Sequence, residues 1–243
     1  MTDLLSLNTC VVCGEPILYR NTPETAICSV CGVQFDCEGS CANGHSVCKS
    51  CYDNKAINII KTTCLGSESK NPYDIAIAIM KNSAVRMHDV KHHILVGASL
   101  LTAYNNAGGD IDDISAALDE MEKRGKQVPP GACGYFGSCG AAVSCGAFYS
   151  IISKSTPYSE TQWGLVNTLT GTCLIEIGKI GGPRCCKRDS FIALNTAIDF
   201  VDSNLGIQMQ KPDKLVCDFS ERNKECIKEK CPYYNKEQLE NHD

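Results

Sequence analysis

Net positive charge is missing from this 243-residue chain, which carries a formal charge of -5, and there is no long basic run. A general electrostatic field for nucleic acid is thereby excluded, leaving at most a local basic patch, so nucleic acid is not expected as a partner. The opening MTDLLSLNTC has no basic n-region and no adequate apolar stretch, so no signal peptide is expected. An uninterrupted apolar run of about 18 residues, enough to span a bilayer, is also lacking. The expectation is a cytoplasmic protein with no membrane partner.

Cysteine is what the chain has in excess: eighteen residues, many of them two or three positions apart. In a reducing cytosol so many thiols point to metal sites or reactive sulfur rather than disulfides, and the short spacings suit one ion better than one bridge. A host living without oxygen would keep such thiols, and any cluster they hold, intact.

Residues 10–51 read CVVC, CSVC, CEGSC and CANGHSVCKSC. The ordered ligand pairs are Cys10 with Cys13, Cys28 with Cys31, Cys41 with His45, and Cys48 with Cys51. A Cys-x-x-Cys turn lets two sulfurs converge on one tetrahedral ion at about 2.3 Å, and four pairs imply two ions, with zinc the expected metal. Pairing is either sequential, giving a zinc ribbon and a treble-clef-like site, or cross-braced, joining first to third and second to fourth. The run C-x-x-x-H-x-x-C-x-x-C resembles the middle of RING-type modules and favours the cross-brace. Cys37 is an alternative to Cys41. Such a short segment has little core without its ions.

Beyond a polar connector at 65–71 the punctuation is helical. Asn71–Pro72 is an N-cap with proline at the first helical position. A second helix is expected from about Val85 to Tyr104, and a third over DDISAALDEMEKRG to Gly125, with Ile111, Ile114, Leu118 and Met121 at helical spacing. Residues 127–137 are a breaker-rich loop. A fourth helix is expected near Cys139, and a fifth from a capping box at Ser159 and Gln162 to Gly181–Gly182. The sixth runs from Pro183 toward Asn204. No segment there alternates well enough to build a sheet. The fold class is mainly α, an all-α helical bundle with a small N-terminal zinc-ribbon/treble-clef-like module. The divisions are 1–64 (double zinc module), 65–210 (helical domain) and 211–243 (cysteine-containing tail).

Four segments of the body and tail carry candidate chemistry. GGPRCCKRD puts Cys185 and Cys186 at a helix N-terminus among Arg184, Lys187 and Arg188, where dipole and cations are expected to favour thiolate. GACGYFGSCGAAVSCG sets Cys133 in a glycine-rich loop and Cys139 at a helix start, and small-residue faces could bring Cys139 near Cys186. Cys145 and Cys173, inside helices, read as packing. MHDVKHH offers His88 and His92 one helical turn apart, with Asp89 able to orient a ring. The tail supplies Cys217, Cys226 and Cys231, three ligands that need a fourth from elsewhere, for a cluster or a zinc knuckle.

CANGHSVCKSC, MHDVKHHILVGASLLTAYNN, VPPGACGYFGSCGAAVSCG, GGPRCCKRDSF and CDFSERNKECIKEKCPYY together resemble an uncharacterised family of archaea and anaerobic bacteria, domain of unknown function 5714. The helical part is also similar to a broader group with a Cys-Gly-Cys-Ala-type motif, suspected of redox or cluster binding, although the order here is Cys139-Gly140-Ala141-Ala142. Some relatives in the first family are similar to proteins fused or associated with methyltransferases, which makes one a candidate partner, yet no methyltransferase nucleotide-binding segment is visible in this chain.

The expected function is a thiol- or iron–sulfur-dependent redox or group-transfer protein of anaerobic metabolism, acting on an unidentified small molecule or protein redox partner. Catalytic candidates are Cys139, Cys185, Cys186, Arg184 and His88. Candidates for holding a cluster are Cys133, Cys139, Cys185, Cys186, Cys217, Cys226 and Cys231. The competing classes are a non-enzymatic zinc-binding adaptor, in which the body thiols merely pack, and a soft-metal or metalloid handler.

Overall fold

A computed structural model describes residues 10–235. The reading of MTDLLSLNT and the outer ends of the segments 1–64 and 211–243 lie outside the described residues. The chain is mainly helical, with one two-stranded antiparallel hairpin near its N-terminus.

The hairpin joins β1 (Ile17–Ile27) to β2 (Gln34–Cys41), in register from Ile27 opposite Gln34 to Ile17 opposite Cys41, with an irregularity between Tyr19 and Glu24. Nearly all of β1 is exposed. A two-stranded hairpin whose buried side chains are Cys37 and Cys41 has too little apolar burial to hold together by itself. This head therefore needs another source of stability.

Helix α1 (Lys49–Leu65) begins on Cys48 as its N-cap, which places one end in the cysteine-rich segment. Its other end delivers Ile57, Ile60 and Cys64 to the main core. No helix is expected there from the sequence, because the metal motif obscures the start and the apolar pattern is weak. The head also docks through a cluster of Val11, Tyr52, Ala56 and Ala84, with the Lys55 ammonium donating to the Val11 carbonyl. Arg86 stacks over Tyr52 at 4.5 Å, and Lys91 bridges Asp53 (2.6 Å) and Asp89 (3.3 Å).

Helix α2 (Pro72–Lys81) starts as its sequence indicates, with the Asn71 side chain accepting from the Tyr73 amide at 3.0 Å. Helix α3 (His92–Asn106) is buried along twelve of its residues and is the centre of the bundle. A helix apolar on all sides must be wrapped on all sides. It begins at His92, not near Val85, because residues 82–91 form turns. Helices α4 (Ile114–Gly125, capped by Asp113), α5 (Ala132–Tyr135), α6 (Gly140–Ile152), α7 (Thr161–Ile180) and α8 (Cys186–Leu205) complete the body. A Cβ on Gly97 would collide with Met121 and Ser144, so glycine lets α3, α4 and α6 approach closely.

Two further helix starts differ from expectation. The Ser159 hydroxyl accepts from the Thr156 amide (2.9 Å) instead of capping α7, whose N-cap Glu160 makes no side-chain cap bond. Helix α8 begins at Cys186 with Cys185 as N-cap, three residues after Pro183. Beyond Leu205 the chain folds back over the body, with the Gln210 amide donating to the Lys70 carbonyl at 2.8 Å and Phe219 buried. Its regular structure is two 3-10 turns, Ser220–Arg222 and Lys228–Lys230.

Candidate metal centres and thiol pocket

The hairpin geometry dictates how the head cysteines meet. Cys10 and Cys13 precede β1, and the pairing of Ile17 with Cys41 sets them beside the end of β2. Cys28 and Cys31 lie in the turn between the strands, facing Cys48 and Cys51 at the start of α1; the Ser29 amide donates to the Ser46 carbonyl at 2.8 Å to fix that approach. The result is two tetrads, Cys10–Cys13–Cys41–His45 and Cys28–Cys31–Cys48–Cys51, each with its ligand atoms within 4.8 Å of one another. First joins third and second joins fourth. The pairing is cross-braced.

The distances fit single tetrahedral ions. Metal–sulfur bonds of about 2.3 Å give a tetrahedral edge of about 3.8 Å. Cys13 and Cys41 sulfurs are 3.7 Å apart, and Cys31 and Cys48 sulfurs 3.8 Å. His45 brings Nδ1 to 3.4 Å from Cys13 Sγ and 3.5 Å from Cys41 Sγ, so Nδ1 is the ligand atom. Charge is shared unequally within each tetrad. The Glu15 amide, with His45 and Asn43, draws Cys13 down to about 6. Burial opposes ionisation of Cys28, but the Cys48, Cys31 and Val30 amides outweigh it and bring that thiol to about 6. Cys51 is pushed up to about 12 by Cys31 and by burial. Cys37 stands apart, its thiol donating to the Gly39 carbonyl at 2.9 Å. These two groups make the protein a metal binder suited to ions such as zinc.

The body thiols behave differently. Cys185 and Cys186 are adjacent in sequence but diverge in space. Cys185 faces the tail, where the Asn223 amide group donates to it at 3.5 Å. Cys186 accepts from the Asp89 amide and is near enough to Cys139 for the charge of one to affect the other. Thiolate is not favoured here. Burial pushes Cys139 up to about 12 and Cys186 up to about 11, and Asp189 adds to both; burial also raises Cys185. Two of the three neighbouring cations are committed elsewhere. Arg188 donates to Asp189 (3.0 Å) and to the Gly181 and Pro183 carbonyls, while Lys187 points to His92 Nε2 (3.1 Å) and the Arg86 carbonyl. Proximity to cations in sequence is thus outweighed by desolvation in the fold.

Cys133 and Cys139 line a pocket of about 760 Å3 between the glycine-rich loop and the α7–α8 junction. Its polar wall is Arg184, exposed at the rim, with Arg188 and Asp189 deeper; Leu174 and Ile177 form the apolar side. Cys139 is the N-cap of α6 and receives the amides of Ala141 and Ala142.

His88 and His92 do not make a chelating pair. His88 precedes α3, within hydrogen-bonding distance of Asn223 Oδ1 (3.1 Å) and 3.3 Å from Glu225, and it borders a separate cleft of about 510 Å3 between head and body. His92 is fully buried, with Nδ1 donating to the Asp89 carbonyl at 2.8 Å. Cys145 and Cys173 are packed in the core, both directed at the Ala193 carbonyl. Asp189 and Asn223 were not singled out in the sequence. Asp189 stands in the same GGPRCCKRD stretch, whereas nothing in the pattern around Asn223 marks it.

No helix is long and apolar enough to cross a membrane among the described residues. Residues 60–234 match a family model described as a family of unknown function, DUF5714. The match starts within α1 and takes in the body and the tail cysteines, leaving the head tetrads and CANGHSVCKSC outside it. No curated protein and no solved structure matches the chain.

Proposed function

Because the chain belongs to the DUF5714 family of unknown function, its chemistry must be read from its own residues, and we propose a thiol-dependent group-transfer or redox protein whose reaction site is the Cys133–Cys139 pocket. Zinc is the structural metal of the head in this reading, since a set of seven cysteines and one histidine at tetrahedral spacing suits it. The observation that carries the proposal is the convergence of two cysteines, two arginines and a carboxyl group on one pocket large enough for a small molecule.

The residues divide the work. Arg184 at the rim attracts an anionic group, and Leu174 and Ile177 hold an apolar portion. Cys139 is the acceptor. Its proton passes to the Asp189 carboxylate, its sulfur bonds to the electrophilic atom of the donor, and the donor's leaving group departs with the electron pair beside Arg184. The high pKa of Cys139 keeps the thiol protonated until a bound donor supplies the electrophile and the Asp189 carboxylate takes the proton.

Charge-selective alkylation tests this reading without a known substrate. On metal-loaded protein, iodoacetate modifies Cys139 faster than neutral iodoacetamide does, relative to the same pair acting on a free thiol, and Arg184→Gln removes the preference. Cys139 that stays inert until the protein unfolds contradicts the proposal and leaves a zinc-binding adaptor whose body thiols pack.

A further inference from the structure

The tail has little regular structure to explain its order. From Gly206 to Asn235 it has only two 3-10 turns, yet it keeps Phe219, Asn223 and Cys231 buried and ties its ends together through the Cys217 amide and the Tyr233 carbonyl at 2.7 Å. Segments of this kind need a staple.

Three thiols from the tail and one from the body border a single gap of about 20 Å3: Cys217, Cys226, Cys231 and Cys185. The three lone tail ligands thus meet a fourth, delivered by the N-cap of α8. Every one of the four sulfurs receives an amide from the residue two positions on. Phe219 N–H donates to Cys217 and Lys228 N–H to Cys226, both at 3.4 Å, and the Tyr233 and Lys187 amides serve Cys231 and Cys185. The same arrangement occurs in the head tetrads, where Val12 N–H donates to Cys10 at 3.4 Å and Val30 N–H to Cys28 at 3.5 Å. Amides aimed at sulfur are what a metal-bound thiolate uses to spread its charge. Asn223 and the buried Arg188 border the gap as well, adding a further donor to Cys185 and a positive charge.

The spacing separates this group from the head. No other three His, Cys, Asp or Glu side chains among the described residues bring their ligand atoms within 4.8 Å of one another. The four thiols therefore stand wider apart than around a single ion. In a four-iron cluster each thiolate binds a different iron, so the sulfurs are held apart by the width of the cluster.

We propose that Cys185, Cys217, Cys226 and Cys231 form a four-thiolate site for an iron–sulfur cluster of the four-iron class, which staples the tail to the start of α8. The site goes beyond the thiol pocket and does not depend on it. Cys133, Cys139 and Cys186 are not its ligands, and the family match over residues 60–234 contains all four that are.

The test uses the full chain, produced and purified without oxygen, with zinc, iron and acid-labile sulfide counted and a visible spectrum recorded. The expected result is about four iron and four sulfide per chain, with a visible absorption that bleaches on reduction. Cys217→Ser and Cys226→Ser each lose most of the iron and sulfide, keep the zinc of the head and retain the helical circular dichroism of the body. Cys139→Ser keeps the iron while losing the alkylation preference, so failure of the pocket and failure of the cluster read out separately. Parent protein with zinc in place of iron at this site, parent protein with no metal beyond the head, or iron retained by the Cys217→Ser/Cys226→Ser double variant overturns the proposal.

Discussion

The head and the body use the same residue for opposite purposes. In the head, sulfurs converge to 3.7–3.8 Å on two tetrahedral sites, and β1, which runs between the first two ligand pairs, is almost wholly exposed. In the body, Cys64, Cys145 and Cys173 lie fully buried among Leu, Ile, Phe and Ala side chains, where burial pushes Cys64 up to about 11 and Cys145 well above its ordinary value. Metal ligation replaces a core in the first region; in the second, thiols help to make one. The comparison teaches that a cysteine's role follows from how much apolar surface the surrounding chain can bury without it.

Removing one head ligand is expected to have the largest effect. Cys48→Ser takes away a ligand of the second tetrad while leaving a residue that can still cap α1, and structural zinc sites contribute about 10–16 kcal/mol to small metal-dependent folds. One ion per chain should be lost, with collapse of amide protection over residues 28–48, while the body keeps its helical signal. Unchanged zinc content would erase the distinction between the regions. Truncation of the body core comes next. Phe148 is fully buried, and Phe148→Ala should destabilise the body by about 3–5 kcal/mol in chemical denaturation, with both head ions retained.

Acidification separates the regions by a different route. Burial depresses the pKa of His93, whose ring packs against Gly140 and lies 3.2 Å from the Val128 carbonyl. Below about pH 6.5 the unfolded chain then takes up the proton before the folded one, so stability falls as pH falls until the folded pKa is passed. Thermal melting of the body, followed between pH 7.5 and pH 5.5, should show that slope in the parent and a weaker one in His93→Gln. An equal slope in both would remove His93 as its source. The smallest effect belongs to Cys37→Ser. Its thiol bonds the Gly39 carbonyl and touches neither tetrad, so the zinc content should not change; loss of an ion would make Cys37 a ligand.

Spacing made the head legible. Four pairs in fixed order, with His45 four residues after Cys41, contain enough to favour the cross-brace, and the structure adds which histidine nitrogen serves. Helix α2 was legible from its cap at Asn71, α4 from the helical spacing of Ile114, Leu118 and Met121 up to Gly125, and the end of α8 lies within a residue of the expected Asn204. Helix α1 was not, because its first turn is hidden inside a ligand motif. The hairpin was not legible either, since β1 is exposed on both faces and leaves no alternation to read. The pKa argument at Cys185 and Cys186 failed for a physical reason: a sequence shows which charges are adjacent, but not that Lys187 turns toward His92 and Arg188 toward Asp189. Long-range packing likewise hid that Cys185 borders the same gap as the three tail thiols.

The most direct test of this account is segment-resolved hydrogen exchange on full-length, metal-loaded protein before and after treatment with a zinc chelator. Residues 10–48 should lose their protection on chelation, while helices α2, α3, α6 and α8 keep theirs. Protection that survives chelation in the head, or that disappears from head and body together, would contradict the claim that metal holds one region and apolar burial the other.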